Sequence, residues 1–303
     1  MNNASISIPL SFNSYWAAFI TLDCNFKCPY CIQKIYGIVP KYEIVPGELW
    51  VERLNSIEGR RKSRFLRRPK VKKVAIIGGE PAVHPDFIEI LNGLDNDWMV
   101  IITSNLSAPI FSDIKLFLRC LKRKKRLKFN VSFHPLYANV DYFISKVIAL
   151  KKELWVDHIF YVVYPPENEK EFKYLKDKAF AKKGLIAETQ RFTGFYKGEL
   201  YPKEDTEIKY DLTYGINDYE FYQRACSQKS KKKVLCKMNK ALFAPNGNIY
   251  NCHYRLYTNS PHYYSNLFDQ ECITNIPRDF FECEEFGFCN PCDFENFQIK
   301  PTT

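Results

Sequence analysis

The stretch LDCNFKCPYCIQ, residues 22–33, contains three cysteines with the spacing C-x3-C-x2-C. It continues from YWAAFIT, whose apolar and aromatic side chains predict a buried strand. A structural zinc site uses four protein ligands and a disulfide uses two cysteines, so three thiols match neither arrangement. The sequence therefore presents Cys24, Cys28 and Cys31 on a loop at the end of a strand, one ligand short of a closed metal site.

Three thiolates suit an iron–sulfur cluster that takes part in a reaction. In a four-iron cluster each iron normally binds one cysteine thiolate, so three cysteines leave one iron with an open coordination position. Catalytic metal sites keep such a position, whereas structural sites close it. The carboxyl end of a strand is also where the active sites of parallel α/β folds gather. The loop therefore predicts a catalytic metal centre.

Outward from this loop, short β-branched or aromatic segments alternate with longer amphipathic ones. The predicted strands span residues 15–22, 74–77, 99–103, 128–133, 158–163 and 185–190. The predicted helices span residues 47–58, 85–94, 112–121, 140–152 and 169–182. Repeating strand–helix units of about 30 residues indicate parallel strands joined by right-handed crossovers. The sequence therefore predicts an α/β fold whose six strands form an open sheet or a partial barrel.

The second predicted strand ends in AIIGGEP, residues 75–81. Two glycines at a strand end let a ligand approach the backbone closely, and the carboxylate that follows suits a cationic group. This segment, the three-cysteine loop and the aromatic Tyr30 directly before the third cysteine together resemble the radical S-adenosylmethionine (SAM) superfamily.

The resemblance implies a partial (β/α)6 TIM-like barrel and a [4Fe–4S] cluster held by Cys24, Cys28 and Cys31. It implies that the open iron binds the amine and carboxylate of SAM. One electron would then cleave SAM to a 5′-deoxyadenosyl radical, which takes a hydrogen atom from the substrate. A reductant such as flavodoxin or ferredoxin is an implied partner. The positions matched to SAM contacts are Tyr30, Gly78, Gly79, Glu80, Ser104, Asn105 and Ser132.

His134 follows the fourth predicted strand in NVSFHP, residues 130–135. At that edge of the sheet an imidazole can act as a general acid or base, or donate a hydrogen bond to a substrate. The alternative is a polar cap on the helix that follows. His134 is therefore the candidate catalytic side chain, with the capping role left open.

The tail contains seven of the 11 cysteines. Cys236 and Cys252 flank a predicted hairpin at Asn246 and Gly247, and Asn-Gly is a strong turn signal. Their spacing, with a later C-x2-C pair, resembles the twitch and SPASM domains of radical SAM enzymes. That resemblance implies an auxiliary [4Fe–4S] cluster, with a zinc site as the alternative. The expected ligands are Cys236, Cys252, Cys289 and Cys292. Cys272 and Cys283 could substitute for one of these or bind a second cluster, whereas Cys120 and Cys226 lie outside the set.

These motifs divide the chain into three predicted parts. Residues 1–191 would form the barrel, residues 192–235 a loop-rich connection, and residues 236–303 the small cysteine-rich domain. The chain has no membrane-helix pattern and no signal-peptide pattern, so a cytoplasmic location is expected. The 11 cysteines then favour metal binding over disulfides.

Substrate and reaction are less constrained by the sequence. The net charge of +10 is concentrated in residues 60–73 and 119–128, which read as solvated surface or as sites for an anionic group. A small polar substrate of sugar, polyol or nucleotide type, oxidised with the auxiliary cluster as electron acceptor, is the leading expectation. About fourteen residues precede the first strand, which favours this over peptide modification because peptide-modifying relatives often begin with a leader-binding module. A third hypothesis is a metal-stabilised module that binds nucleic acid and catalyses no reaction. RNA binding is the less favoured interpretation, because neither basic segment has the interleaved aromatic residues of a single-strand binding surface.

Overall fold

The structure is a computed structural model that describes residues 15–57, 72–203, 219–269, 272, 276–277 and 279–301. Residues 60–71 of the predicted basic segment 60–73 lie outside the described residues. Its strands are β1 (Tyr15–Thr21), β2 (Lys72–Gly78), β3 (Trp98–Ser104), β4 (Leu127–Phe133), β5 (Trp155–Val162), β6 (Glu188–Gln190), β7 (Gly194–Tyr196), β8 (Glu199–Tyr201), β9 (Lys232–Met238), β10 (Lys240–Phe243), β11 (Ile249–Tyr250), β12 (Phe281–Phe286) and β13 (Phe297–Pro301). Its α-helices are α1 (Gly47–Asn55), α2 (Phe87–Gly93), α3 (Ile114–Cys120), α4 (Val140–Lys151), α5 (Glu169–Ala181), α6 (Tyr219–Cys226) and α7 (His253–Tyr257).

The main sheet has the strand order β11-β10-β1-β2-β3-β4-β5-β6. Neighbours from β10 to β6 all pair in parallel, and only β10 and β11 pair antiparallel. All six strands and all five helices predicted for the first part of the chain are present, with small shifts at their ends. The prediction of an α/β fold with a mostly parallel central sheet is confirmed; closure into a partial barrel stays a prediction.

The predicted hairpin around Gly247 is formed by β10 and β11, and it belongs to the main sheet. β10 lies in parallel beside β1, with Tyr15 opposite Lys240 and Ala18 opposite Phe243. The hairpin thereby covers the strand edge that β1 would otherwise present to solvent. The cysteine-rich tail therefore begins as an extension of the sheet that carries the three-cysteine loop.

Both faces of the sheet are covered, as a parallel sheet requires. On one face, Ala18 and Ile20 of β1 pack in a large core with helix side chains such as Trp50 of α1. On the other face, Ala17 and Phe19 pack in a smaller core that includes residues of β10, β11 and α7. Strand alternation thus assigns successive residues of β1 to two different cores.

A second sheet has the order β12-β9-β13, and both outer strands pair antiparallel with β9. It carries Cys236 on β9 and Cys283 on β12.

Within the part of the chain that the structure describes, no helix has the length and apolar character needed to span a membrane.

The basic segment 119–128 is in part used inside the fold. The guanidinium group of Arg123 donates hydrogen bonds to the backbone carbonyls of Leu94, Asp95 and Trp98. Lys128 forms an ion pair with Asp157 at 3.0 Å. These contacts favour the interpretation of this segment as structural and solvated surface.

Candidate functional site

The three-cysteine loop opens a cavity at the carboxyl ends of the parallel strands. The hydroxyl of Thr21 accepts a hydrogen bond from the backbone of Asp23 at 3.0 Å, which turns the chain out of β1. The backbone N–H of Phe26 then donates to the Cys24 sulfur at 3.3 Å. Cys24, Cys28 and Cys31 all line the resulting cavity of about 520 Å³, a size typical of small-molecule sites.

Gly78 and Gly79 line the same cavity. The structure also shows why both positions need a residue without a Cβ atom, which the sequence did not indicate. A Cβ atom on Gly78 would lie 1.9 Å from the Thr21 carbonyl oxygen, and one on Gly79 would lie 2.1 Å from that of Asp23. The backbone of Gly79 donates to Thr21 at 3.1 Å, and that of Glu80 donates to Asp23 at 2.8 Å. The glycines therefore let the end of β2 pack directly against the start of the three-cysteine loop.

Replacing Gly79 by alanine is expected to lower the free energy of unfolding by about 3 kcal/mol, because the added Cβ would collide with backbone atoms, which cannot rotate away. This cost is at the upper end of those measured for overpacked sites. The variant should also bind SAM more weakly. Chemical denaturation and equilibrium binding measure both effects. Gly184→Ala is the control, since nothing lies within 4 Å of its added Cβ and its positive φ costs only about 1 kcal/mol. Equal SAM binding by the two variants would contradict the prediction.

The Glu80 carboxylate is buried at the floor of the cavity, with a side chain 1% exposed. One oxygen accepts hydrogen bonds from Ser104 Oγ at 2.9 Å and Ala82 N at 3.2 Å, and the other accepts one from Asn105 N at 2.7 Å. Burial raises the pKa of the Glu80 carboxyl to about 7, although these hydrogen bonds oppose the shift. A cationic group placed beside it would favour the ionised form.

Asn105 connects the end of β3 to the three-cysteine loop. Its side-chain amide donates to Asn25 Oδ1 at 2.9 Å and approaches the sulfur of Cys24 at 3.9 Å. Ser104 and Ser132 line the cavity from β3 and β4. The structure thus brings every position matched to a SAM contact to one cavity; the contacts themselves stay predictions.

His134 lines this cavity beside Tyr30. The Tyr30 hydroxyl lies 3.0 Å from His134 Nδ1, and the two rings stack with centroids 5.8 Å apart. Burial lowers the pKa of His134 to about 4, so the imidazole is neutral near pH 7. The capping alternative is wrong, because the side chain of Asn139 caps α4 by accepting from Tyr142 N at 3.0 Å. A catalytic role for His134 stays a prediction.

One wall of the cavity was missed by the sequence reasoning. It is formed where β6 ends, by Gln190, Arg191, Phe192 and Thr193. The Arg191 guanidinium is held by Glu169 of α5 at 2.9 Å. The sequence could have indicated this wall, because the carboxyl end of the sixth predicted parallel strand lies at the same edge of the sheet as the ends of the other five.

Among the described cysteines of the tail, Cys272 lies apart in the main core, with its sulfur 3.5 Å from Ser265 Oγ, so the structure does not place it as a substitute ligand. The thiol of Cys236 contacts that of Cys283 and lies near those of Cys289 and Cys252, and this contact and burial raise its pKa. Cys292 instead lines the cavity together with Cys24, Cys28 and Cys31. Of the four expected ligands, the structure brings three together and places the fourth on the cavity wall.

These thiol groups fit iron–sulfur clusters by donor type and by number. In the described residues, no three His, Cys, Asp or Glu side chains are arranged to hold a single metal ion. A four-iron cluster binds each thiolate at a different iron, so its ligands surround a volume instead of meeting at one ion. Cys24, Cys28 and Cys31 supply three of the four thiols that line the cavity, one fewer than a four-iron cluster binds, and the fourth belongs to Cys292 of the tail.

Sequence comparison finds relatives that match part of the chain. A "Probable GTP 3′,8-cyclase" of Thermococcus kodakarensis is 27% identical over 135 residues, which is 45% of this chain and 39% of the relative. A "GTP 3′,8-cyclase" of Haemophilus ducreyi is 33% identical over 78 residues, 26% of this chain and 21% of the relative. The chain thus spans well under half the length of these relatives. No family model matches it.

Crystal structures of BtrN are among the solved structures that the comparison finds. The selenomethionine protein in an open conformation has a TM-score of 0.37 and 12% identity, covering 86% of this chain and 77% of that one. BtrN in complex with AdoMet and 2-DOIA has a TM-score of 0.39 and 14% identity, covering 84% of this chain and 78% of that one.

Proposed function

We propose, from this chain's membership of the radical SAM superfamily, that it is an enzyme that reductively cleaves SAM to act on a small polar substrate. The observation that carries the proposal is the single cavity lined by Cys24, Cys28, Cys31 and the Gly-Gly-Glu segment. Two motifs about 50 residues apart in sequence meet there because β1 and β2 are parallel neighbours.

The chain's own residues bind and orient the reactants. Cys24, Cys28 and Cys31 would hold a [4Fe–4S] cluster, which when bound supplies the electron that cleaves SAM to a 5′-deoxyadenosyl radical. Glu80 would accept a hydrogen bond from the SAM ammonium group through the oxygen that already accepts one from Asn105. The buried surroundings strengthen that interaction and exclude water from the reacting atoms.

The Tyr30–His134 pair would orient the opposite side of the bound molecule. Because the imidazole is neutral, it can accept or donate a hydrogen bond without adding a charge. Tyr30 is further held by the ring of Tyr164 at a centroid distance of 4.7 Å. Both rings therefore present fixed polar atoms to the cavity at little cost in side-chain entropy.

A nucleotide-type substrate is favoured among small polar molecules. The relatives found by sequence carry the name GTP 3′,8-cyclase. The wall after β6 offers an amide and a hydroxyl from Gln190 and Thr193, and such groups can hydrogen-bond phosphate and base edges. The Arg191 guanidinium on the same wall is paired with Glu169. Oxidation of the substrate is a second candidate, favoured by the tail thiols grouped around Cys236, which would hold an auxiliary cluster able to accept an electron.

Anaerobically reconstituted protein is expected to convert SAM to 5′-deoxyadenosine and methionine when a reductant is added. Chromatographic quantification of both products measures the reaction. The iron and sulfide content should correspond to about two four-iron clusters, or about eight of each per chain. A panel of nucleoside phosphates, sugars and polyols should show faster SAM cleavage with the true substrate class. Protein that carries iron and sulfide yet leaves SAM intact under all these conditions would contradict the proposed function.

A further inference from the structure

The tail offers more than one cysteine that could complete the auxiliary site. The sequence spacing favours Cys292, because Cys289 and Cys292 form a C-x2-C pair. In the structure, Cys292 lines the main cavity with the thiols of the three-cysteine loop. Its backbone carbonyl is held by Lys240 Nζ at 3.0 Å, and its backbone N–H donates to Asn290 Oδ1 at 3.0 Å. Both contacts fix the direction in which this turn presents the side chain.

Strand register places another thiol beside Cys236. In the antiparallel pair of β9 and β12, Cys236 lies opposite Phe281 and Val234 lies opposite Cys283. Residues directly opposite one another, and residues two apart on one strand, share a face of the sheet. Cys236 and Cys283 are therefore diagonal neighbours on the same face. The register shifts just after Cys283, and such bulges redirect side chains beside functional sites.

An ion pair joins Cys283 to the helix that follows Cys252. The Glu285 carboxylate accepts a hydrogen bond from the Cys283 thiol at 3.1 Å and pairs with the Arg255 guanidinium at 3.0 Å. A cluster would bind Cys283 as the thiolate, so ligation would release this proton to solvent and Arg255 would remain the partner of Glu285. Both charged side chains are largely buried, 12% and 13% exposed, so the pair is held in one geometry. Arg255 lies on α7, which begins directly after Cys252, and its backbone hydrogen-bonds the Cys252 thiol. Glu285 thus links the segments that carry two of the thiols.

Cys289 approaches the same group from the turn after β12. Its backbone N–H donates to the Ala225 carbonyl at 2.9 Å, which ties the turn to the end of α6. Its thiol lies near those of Cys283 and Cys252, as well as that of Cys226. With Cys226 beside them, four thiols thereby lie near one another: Cys236 on β9, Cys252 directly before α7, Cys283 on β12 and Cys289 in this turn.

We propose that Cys236, Cys252, Cys283 and Cys289 hold the auxiliary cluster, and that Cys292 forms part of the SAM cavity wall and is not a ligand. This rests on the proposed function, since it assumes that the tail binds an iron–sulfur cluster. A four-thiol set closes every iron of a four-iron cluster, so such a centre would serve electron transfer and leave substrate binding to the cavity. Cys292 would contact the substrate or SAM at the side of the cavity that faces the tail.

The test compares Cys283→Ala with Cys292→Ala, each removing one thiol from the same tail of the full chain. After anaerobic reconstitution, wild type and Cys292→Ala should each contain about eight iron atoms and Cys283→Ala about four. Electron paramagnetic resonance of the reduced proteins should show loss of one cluster signal in Cys283→Ala only. Cys226→Ala, which removes the adjacent buried thiol, should keep both signals. Loss of a cluster in Cys292→Ala with retention in Cys283→Ala would overturn the proposal.

A footprint on the unaltered protein covers the case in which Cys283→Ala fails to fold. Holoprotein without SAM is treated with iodoacetamide, and labelled cysteines are identified by mass spectrometry before and after the iron is chelated. Cys292 should be labelled in both samples, and Cys283 only after chelation. Labelling of Cys283 before chelation, or protection of Cys292, would refute the assignment. Wild type that cleaves SAM but binds only about four iron atoms would refute it too, while leaving the proposed function intact.

Discussion

Replacing Cys24, Cys28 and Cys31 together by alanine is expected to abolish the formation of 5′-deoxyadenosine from SAM, even with excess reductant. These three thiols line one cavity, and in the proposed function they hold the cluster that supplies the electron. Without them, SAM loses both its electron source and the metal position at which it binds. Product analysis after anaerobic incubation should give the same value as a blank without protein.

Two controls separate this effect from general damage. Cys120→Ala removes an exposed thiol on α3 and should leave SAM cleavage unchanged. The triple variant should keep about four iron atoms per chain in its auxiliary cluster, which shows that the rest of the fold is intact. Continued cleavage of SAM by the triple variant would mean that the site is assigned to the wrong residues.

The second large effect concerns stability. Asp293 is buried between a lysine and a histidine, with Lys240 Nζ at 3.0 Å and His253 Nδ1 at 2.7 Å. Although burial opposes ionisation, Lys240 and His253 lower the pKa of Asp293 to about 2. Asp293→Asn would leave the buried Lys240 ammonium without a counter-charge, and breaking a buried pair in this way costs about 3–5 kcal/mol. Anaerobic denaturation of reconstituted protein at neutral pH should show this loss.

The half-buried pair Lys128–Asp157 provides the matched comparison. Its nitrogen and oxygen are also 3.0 Å apart, but the side chains are 27% and 23% exposed. Asp157→Asn makes the same chemical change where water screens the charge, so it should cost less than about 1 kcal/mol. If the two variants were equally stable, burial of the Asp293 pair would not be the source of its strength.

The Asp293 pair also shows why the tail and the main sheet act as one unit. Lys240 lies on β10, which pairs with β1, and Asp293 follows Cys292 directly. The same carboxylate accepts from the backbone of His253 at 3.0 Å, directly after Cys252. One buried carboxylate thus fixes two cysteine-bearing segments against the strand that precedes the three-cysteine loop.

Much of the main sheet could be predicted from local sequence. Strands such as β3 and β4 and helices such as α4 begin and end close to their predicted bounds. Strand and helix periodicities are local signals, and a parallel sheet places every strand end at one edge. The convergence of the three-cysteine loop, the Gly-Gly-Glu segment and the ends of β3 and β4 follows from that rule. The sixth strand end, with Arg191, belonged to the same pattern and was overlooked.

The sequence by itself determined the α/β class, the succession of strands and helices along the first part of the chain, and the three thiols that are one ligand short of a closed site. Only the tertiary structure decided how the tail is arranged, because antiparallel register and a buried ion pair act between residues far apart in the chain. Spacing places Cys292 beside Cys289 in sequence, whereas register places Cys283 beside Cys236 in space. The four-residue segment from Cys289 to Cys292 can direct its two thiols to different sites, and no local pattern records which way each one faces.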